Sequence, residues 1–315
     1  MKPVVFIDGS EGTTGLRIAD RFSERDDIEL IKISEDKRKD PEEISKFINE
    51  SDITFLCLPD AASKEAVGLV KNEKTRILDT STAHRTNEAW AYGLPELSKE
   101  HEERIVSGKR IAVPGCHATG FISLVYPLVA SGLLKKDASL SATSISGYSG
   151  GGKKAIAQYE EHKDDPLFIA PRQYALAQQH KHLVEMKAVT GIANAPLFMP
   201  FICSFYSGME VSVPLSSDMF TGKMSLEGIL SVYEKTYGGK EFYKVHGPES
   251  ELVAGNFLSA ALMSGRDSIE ILVYGNEERA VVTALFDNLG KGASGAAIEC
   301  MNLMLGFAPS KGLTL

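Results

Sequence analysis

Pro3-Val4-Val5-Phe6-Ile7-Asp8-Gly9-Ser10-Glu11-Gly12-Thr13-Thr14-Gly15-Leu16-Arg17-Ile18-Ala19-Asp20-Arg21-Phe22 decides the fold class of this chain. An apolar run enters a glycine loop, and a helical pattern leaves it. Glycines let a backbone turn sharply and approach a pyrophosphate, and the helix N-terminus that follows supplies amide donors and the positive end of its dipole. The spacing G-x-x-G-x-x-G is a relative of the dinucleotide fingerprint. A second apolar run, 28–33, ends at Ser34-Glu35-Asp36-Lys37-Arg38-Lys39, where such folds meet the ribose. An acid there suits a ribose 2′-hydroxyl, whereas Ser34, Lys37 and Arg38 suit a 2′-phosphate, which favours NADP. A solvated loop of mixed charge is the alternative, because Glu35 and Asp36 lie in the same run.

Outward from that loop the pattern repeats. Residues 42–48 read as a helix, 53–58 as a buried strand, 63–70 as a helix and Arg76–Asp79 as a strand, with 105–113 completing the series. Strands spaced by helices imply a parallel, doubly wound sheet. From Cys116 the texture changes: a helix over 118–132 precedes β-rich stretches at 140–146, 198–215, 268–275 and 280–286. The expectation is an α/β chain: a Rossmann-type doubly wound domain followed by an α+β domain whose sheet is largely antiparallel. The small residues opening the last helix, 293–305, let it return to the first domain. The boundaries read from the sequence are 1–115 plus 293–315 for the first domain and 116–292 for the second.

The 315 residues suit two domains. Hydrophobic content of 43% with 24% charged residues describes a globular chain, and a net charge of −8 without a basic stripe argues against nucleic acid. No apolar run reaches membrane-spanning length. The first strand begins at once, leaving no room for a signal segment, and the four cysteines form no C-x-x-C pair or framework, so a cytoplasmic setting with free thiols is expected.

Val113-Pro114-Gly115-Cys116-His117-Ala118-Thr119-Gly120 places one of these thiols where a turn enters an apolar helix. Unpaired amides and the helix dipole favour thiolate there, which makes Cys116 the candidate nucleophile. A buried structural cysteine is the alternative. Cys57, Cys203 and Cys300 sit in apolar runs and read as small hydrophobes. Of seven histidines, His101, His162 and His246 read as solvated, while His84 and His117 read as neighbours of motifs rather than participants. His180 and His182 are the acid/base candidates. On a regular helix they would point about 200° apart, so one would serve the thiol and the other would bind or support. No third and fourth ligand accompanies them, so no metal is expected.

Taken together, these segments resemble the short-form N-acetyl-γ-glutamyl-phosphate reductases of arginine biosynthesis, in the superfamily of glyceraldehyde-3-phosphate and aspartate-semialdehyde dehydrogenases. The resemblance spans essentially the whole chain. It rests on the glycine loop, on Asp79-Thr80-Ser81-Thr82-Ala83-His84-Arg85, Tyr92-Gly93-Leu94-Pro95-Glu96-Leu97 and Pro114-Gly115-Cys116, on Ser146-Gly147-Tyr148-Ser149-Gly150-Gly151-Gly152-Lys153, on His180-Lys181-His182-Leu183-Val184-Glu185, and on Asp287-Asn288-Leu289-Gly290-Lys291-Gly292-Ala293. Two departures stand out: His117-Ala118-Thr119 where many relatives carry Tyr-Pro-Thr, and Val184 where a proline often follows the histidine pair. The resemblance implies NADPH-dependent reduction of an acyl phosphate through a Cys116 thioester, with His180 or His182 as acid/base. It implies substrate binding by Arg85, Ser81, Glu185 and Ser149. For the cofactor it implies Gly9, Ser10, Gly12, Thr13, Thr14, Gly15, Ser34, Lys37, Arg38, Pro59, Ser81, Gly150 and Asn288. The partner is a small-molecule substrate, with no nucleic acid or membrane and a homodimer or homotetramer as the assembly. An aspartate-semialdehyde dehydrogenase-like reductase and a non-catalytic NADP-sensing protein are the rival readings.

Overall fold

Strand runs with helices between them, then runs of consecutive strands, build two units in the computed structural model, which describes residues Met1–Leu315. The first unit comprises Met1–Pro95, Lys99–Pro114 and Ala293–Leu313, and the second Glu96–Ser98, Gly115–Gly292 and Thr314–Leu315.

In the first unit, β1 (Val4–Asp8), α1 (Thr13–Ser23), β2 (Glu29–Ile31), α2 (Pro41–Glu50), β3 (Ile53–Leu56), α3 (Asp60–Gly68), β4 (Arg76–Asp79), β5 (Ala91–Tyr92), α4 (Lys99–Ser107) and β6 (Arg110–Ala112) follow in order. All strands are parallel, in the order β2-β1-β3-β4-β6-β5. Alternate side chains serve opposite faces. Val5, Ile7, Phe55, Leu78 and Ile111 pack on one face with Ile18 and Phe22 of α1, and Phe6, Leu56, Ile77 and Ala112 on the other with Ile48 of α2. Apolar faces on both sides of a parallel sheet require helices on both sides. The C-terminal helix Gly295–Leu305 sets Ala297, Ile298 and Met301 into the first cluster. The 105–113 run is not one strand: 105–107 close α4, whose Ile105 is buried, and only Arg110–Ala112 pairs.

The second unit holds α5 (Cys116–Ala130), β7 (Ser141–Gly147), α6 (Gly152–Glu161), α7 (Pro166–Ile169), β8 (Arg172–Gln173), α8 (His182–Thr190), β9 (Leu197–Cys203), β10 (Met209–Ser216), α9 (Leu226–Tyr237), β11 (Tyr243–His246), α10 (Glu251–Ala254), β12 (Ile269–Gly275) and β13 (Arg279–Phe286). Its sheet runs β11-β12-β13-β10-β7-β9-β8. The central pairs are antiparallel, and β7/β9 and β11/β12 are parallel. The 198–215 run is two strands, split where Gly147, at the end of β7, donates to Gly208 O at 3.0 Å.

Helix α5 is almost wholly buried: from His117 to Val129 every residue is buried except Tyr126, which is half-buried. A Cβ on its Gly120 would stand 2.8 Å from Val211 Cβ and 2.9 Å from Phe286 Cε1, so only glycine lets the helix seat on β10 and β13. Burial leaves no water to repair a broken backbone bond. Pro127, inside the helix, has no N–H for the Ser123 carbonyl one turn back. The Tyr237 hydroxyl of α9 donates to that carbonyl at 2.7 Å instead, and Tyr237 is fully buried.

Tyr237→Phe therefore leaves a buried carbonyl unsatisfied and should cost about 1–3 kcal/mol, more than a typical hydrogen bond deletion at the surface. Urea unfolding of wild type and variant measures it, and equal midpoints would mean that water or a neighbour replaces the phenol.

Candidate active site

At the end of β6 the chain extends through Gly115, with φ −83° and ψ 148°, and turns so that Cys116 is the first helical residue of α5. No side chain caps this helix start, so its amides and the dipole act at the sulfur. Cys116 is half-buried at the start of a helix whose residues 117–125 are all buried. A Cβ on Gly292 would lie 2.9 Å from that of Cys116, so the wide turn after β13 packs directly on the cysteine.

Three side chains from one segment converge on this helix start. Glu185, 2% exposed on α8, accepts the Gly115 N–H at 3.3 Å through Oε2, and its Oε1 lies 4.0 Å from His182 Nε2. His182 opens α8, whereas His180 stands before the helix and accepts the His182 N–H on Nδ1 at 3.2 Å. The two rings meet edge to face, 4.6 Å apart. The opposed directions expected of a regular helix do not arise, because only His182 is helical and His180 caps the turn before it. With Nδ1 accepting, the proton of neutral His180 sits on Nε2. His180 is the more exposed of the pair; His182 is buried.

His117 is no bystander in this geometry. It is buried, with Nδ1 2.7 Å from Ser144 Oγ and Nε2 2.5 Å from Tyr174 Oη, and its ring lies 5.3 Å from that of His180. Burial, reinforced by His180, pushes its imidazole down to about 3, so it stays neutral at ordinary pH. Tyr174 and Ser144 left no mark in the sequence, since neither lies in a motif. Burial, with the Cys116 sulfur nearby, holds the Tyr174 phenol above its usual range.

Ser149 and Gly150 come together with Asn288 in the same unit. Asn288 Nδ2 donates to Ser149 Oγ at 3.0 Å while its Oδ1 accepts the Gly208 N–H at 2.9 Å. A Cβ on Gly150 would fall 3.2 Å from Asn288 Nδ2. Asp287, fully buried, builds the turn that presents Asn288 by accepting the N–H groups of Leu289, Gly290 and Gly265 and the Ser207 hydroxyl.

The first unit carries the remaining residues. Gly9 has φ +82°, and a Cβ on it would meet the Cys57 carbonyl, so the loop closes tightly onto β3. Gly12 is the N-cap of α1 without a side-chain cap bond, and a Cβ on Gly15 would lie 2.9 Å from Ser10 Cα. An uncapped, glycine-tight turn at a helix start fits a pyrophosphate. Pro59 caps α3 with extended backbone. Asp79, fully buried at the end of β4, accepts from Ser63 Oγ, from the Ser81 N–H and hydroxyl, and from His84 Nδ1 at 2.6 Å, while His84 stacks on Trp90 at 4.0 Å. The Ser81 hydroxyl proton is thus spent on Asp79. In the loop so ordered, Arg85 is buried and donates to Val113 O at 2.8 Å and Thr80 O at 2.9 Å. After β2, Ser34, Lys37 and Arg38 are exposed, and Lys37 Nζ bonds Glu43 at 2.9 Å. His246, read as solvated, is half-buried instead, its Nε2 2.5 Å from Glu270. No helix is long and apolar enough to cross a membrane.

Residues 4–105 match the family model for the semialdehyde dehydrogenase NAD binding domain, and residues 116–288 that for the semialdehyde dehydrogenase dimerisation domain. The chain is 42% identical to N-acetyl-gamma-glutamyl-phosphate reductase 2 of a Nostoc species over 324 aligned positions, covering 99% of each. It is 44% identical to N-acetyl-gamma-glutamyl-phosphate reductase of Brucella ovis, over 97% of this chain and all of that one. Its fold is similar to that of aspartate semialdehyde dehydrogenase II of Vibrio cholerae, solved with ASA, with a TM-score of 0.74 at 14% identity over 97% of this chain and 99% of that one. Aspartate semialdehyde dehydrogenase of Candida albicans, solved with NADP, gives 0.64 at 15% identity over the same shares.

One carboxyl beside the glycine loop sets a pH dependence. Asp8, 7% exposed at the end of β1, is pushed by burial from the ordinary 3.8 up to about 6. The native state then holds its proton more tightly than the unfolded chain, so stability falls as pH rises from about 4 to about 6 and stays lowered above that, by on the order of 3 kcal/mol. Asp8→Asn should gain stability on wild type between about pH 4 and about pH 8; a constant difference in urea midpoints would mean the carboxyl is not perturbed.

Proposed function

The chain belongs to the N-acetyl-gamma-glutamyl-phosphate reductases, and from that membership and the setting of Cys116 we propose that it reduces N-acetyl-γ-glutamyl phosphate to N-acetylglutamate semialdehyde and phosphate, a step of arginine biosynthesis, with NADPH as the reductant. One observation carries the reading. The only half-buried residue at the start of α5 is a thiol, and His180, His182 and Glu185 crowd the same end.

The thiolate of Cys116, stabilised by the α5 amides and dipole, attacks the acyl carbon, and phosphate leaves as the thioester forms. His180 takes the thiol proton on Nδ1, its one lone pair, which gives up the His182 N–H to do so; in the second stage it returns that proton to the sulfur as the aldehyde departs. Glu185 holds Gly115 and His182 in place, so that helix start and histidine keep a fixed distance. Arg85, pinned through two carbonyls, offers a guanidinium for a substrate carboxylate or phosphate. A bound nicotinamide cofactor supplies the hydride. Gly9, Ser10, Gly12, Thr13, Thr14 and Gly15 would hold its pyrophosphate, Pro59 and Ser81 would line its path, and Ser149, Gly150 and Asn288 would meet its nicotinamide end. Ser34, Lys37 and Arg38 would read a 2′-phosphate, for which Lys37 exchanges Glu43. The match of 116–288 to a dimerisation domain supports a homodimer through the second unit.

The reverse reaction tests the chemistry. N-acetylglutamate semialdehyde and NADP should yield reduced cofactor only when inorganic phosphate is present, and Cys116→Ser should lower that rate to below about one-thousandth while NADP still binds. A rate independent of phosphate, or a serine variant near wild type, would end this reading.

Lys37→Ala with Arg38→Ala should weaken NADP by a decade or more and NAD little, because charge-assisted contacts to a phosphate are worth roughly 1.5–3 kcal/mol each. Titration of both cofactors by fluorescence decides it; equal losses would mean that the pair does not read the 2′-phosphate.

A further inference from the structure

His117 follows the nucleophile directly and uses both ring nitrogens inside the second unit. Nδ1 meets Ser144 Oγ of β7 at 2.7 Å, and Nε2 meets Tyr174 Oη, just after β8, at 2.5 Å. His180 and Phe198 stand edge-on to its ring at 5.3 Å, and His182 is tilted at 5.5 Å. Tyr174 and Phe198 also touch the His180 ring, at 5.9 and 5.3 Å. With His182 at 4.6 Å, His180 is thus walled by four rings, and His117 ties that wall together.

A neutral imidazole has one N–H and one lone pair, so a ring bridging two hydroxyls donates to one and accepts from the other. The titratable groups that face it are Tyr174, His180 and His182, with Glu185 and Cys116 beyond them; β7 and β9 contribute Ser144 and Phe198. A charge on His117 would lower the proton affinity of both other histidines. We infer that His117 is a positioning residue: its neutral imidazole links Ser144 to Tyr174 and so fixes the His180 ring in the orientation from which it serves Cys116. This rests on the acid/base role given to His180 above. The bridge explains why a histidine, rather than an apolar residue, follows the nucleophile into a buried helix. It also gives Tyr174 a place in the site without making it touch substrate.

The test is a pair of variant cycles on the full chain, read as kcat, KM and pH profile in the phosphate-dependent reverse reaction. His117→Phe and Tyr174→Phe should each lower kcat roughly 10-fold to 100-fold, keep KM within about threefold, and move the acidic limb of the kcat profile by about half a pH unit or more. The double variant should be no worse than the weaker single one, and His117→Phe should add nothing in a His180→Asn background. His117→Gln, whose amide both donates and accepts, should recover most of the rate. Losses that multiply, an unmoved pH profile, or a glutamine variant no better than phenylalanine would overturn the proposal. Should His117→Phe not fold, Tyr174→Phe, which keeps its ring, carries the same pH-profile test. If His180→Asn alone keeps the wild-type rate and profile, the acid/base role falls, while the His117–Tyr174 coupling is still judged by its own double variant.

Discussion

A helix buried on nearly every side must satisfy its backbone from within the protein, and α5 is such a helix. Its neighbours follow from that demand. Tyr237 supplies the donor that Pro127 removes, and Tyr233 adds a second hydroxyl, to the Leu124 carbonyl at 2.7 Å. Gly120 lets the helix approach Val211 and Phe286, and Glu185 takes up the amide of Gly115 at the other end. Its last residue, Ala130, is exposed, and at the N-terminal end Cys116 is half-buried. Under the proposed chemistry, reactivity and packing are one problem: a helix held this firmly delivers its dipole to a fixed sulfur.

Buried carboxylates do comparable work in both units. Asp79 gathers four donors at the end of β4, and Asp287 gathers four just after β13. Each costs desolvation and repays it only when its lone pairs are filled, which makes the loop around it adopt one conformation. The Asp79 loop presents Arg85 and the Asp287 turn presents Asn288. The loops after these strand ends are ordered because a fixed acid organises the irregular backbone there. Asp8 lacks such a set of donors, and burial raises its carboxyl instead.

The glycine loop, the alternation of strand and helix up to 113, and the cysteine before an apolar helix were legible because local pattern and final structure agree there. The 105–113 run misled, since Ile105 is buried from a helix rather than a strand and apolar periodicity over nine residues does not separate the two. The long 198–215 run concealed a reversal, because the turn at 204–208 is set by hydrogen bonds to the residues after β7, far away in sequence. The histidine pair was found, but its geometry was not: His180 caps α8 with its own ring, and side-chain capping breaks the helical spacing on which the reading relied.

What the sequence determined by itself was the class of fold, the cysteine at the start of an apolar helix and the glycine turn, all of which rest on interactions between residues near one another along the chain. Tertiary structure alone decided the rest. Tyr174, Ser144 and Tyr237 entered the account only when distant elements met, and His117 changed from neighbour to bridge when β7 and β8 brought two hydroxyls to its nitrogens. The physical reason is that a buried polar group must find a partner wherever the fold places one, and that partner leaves no periodicity or motif in the sequence to announce it.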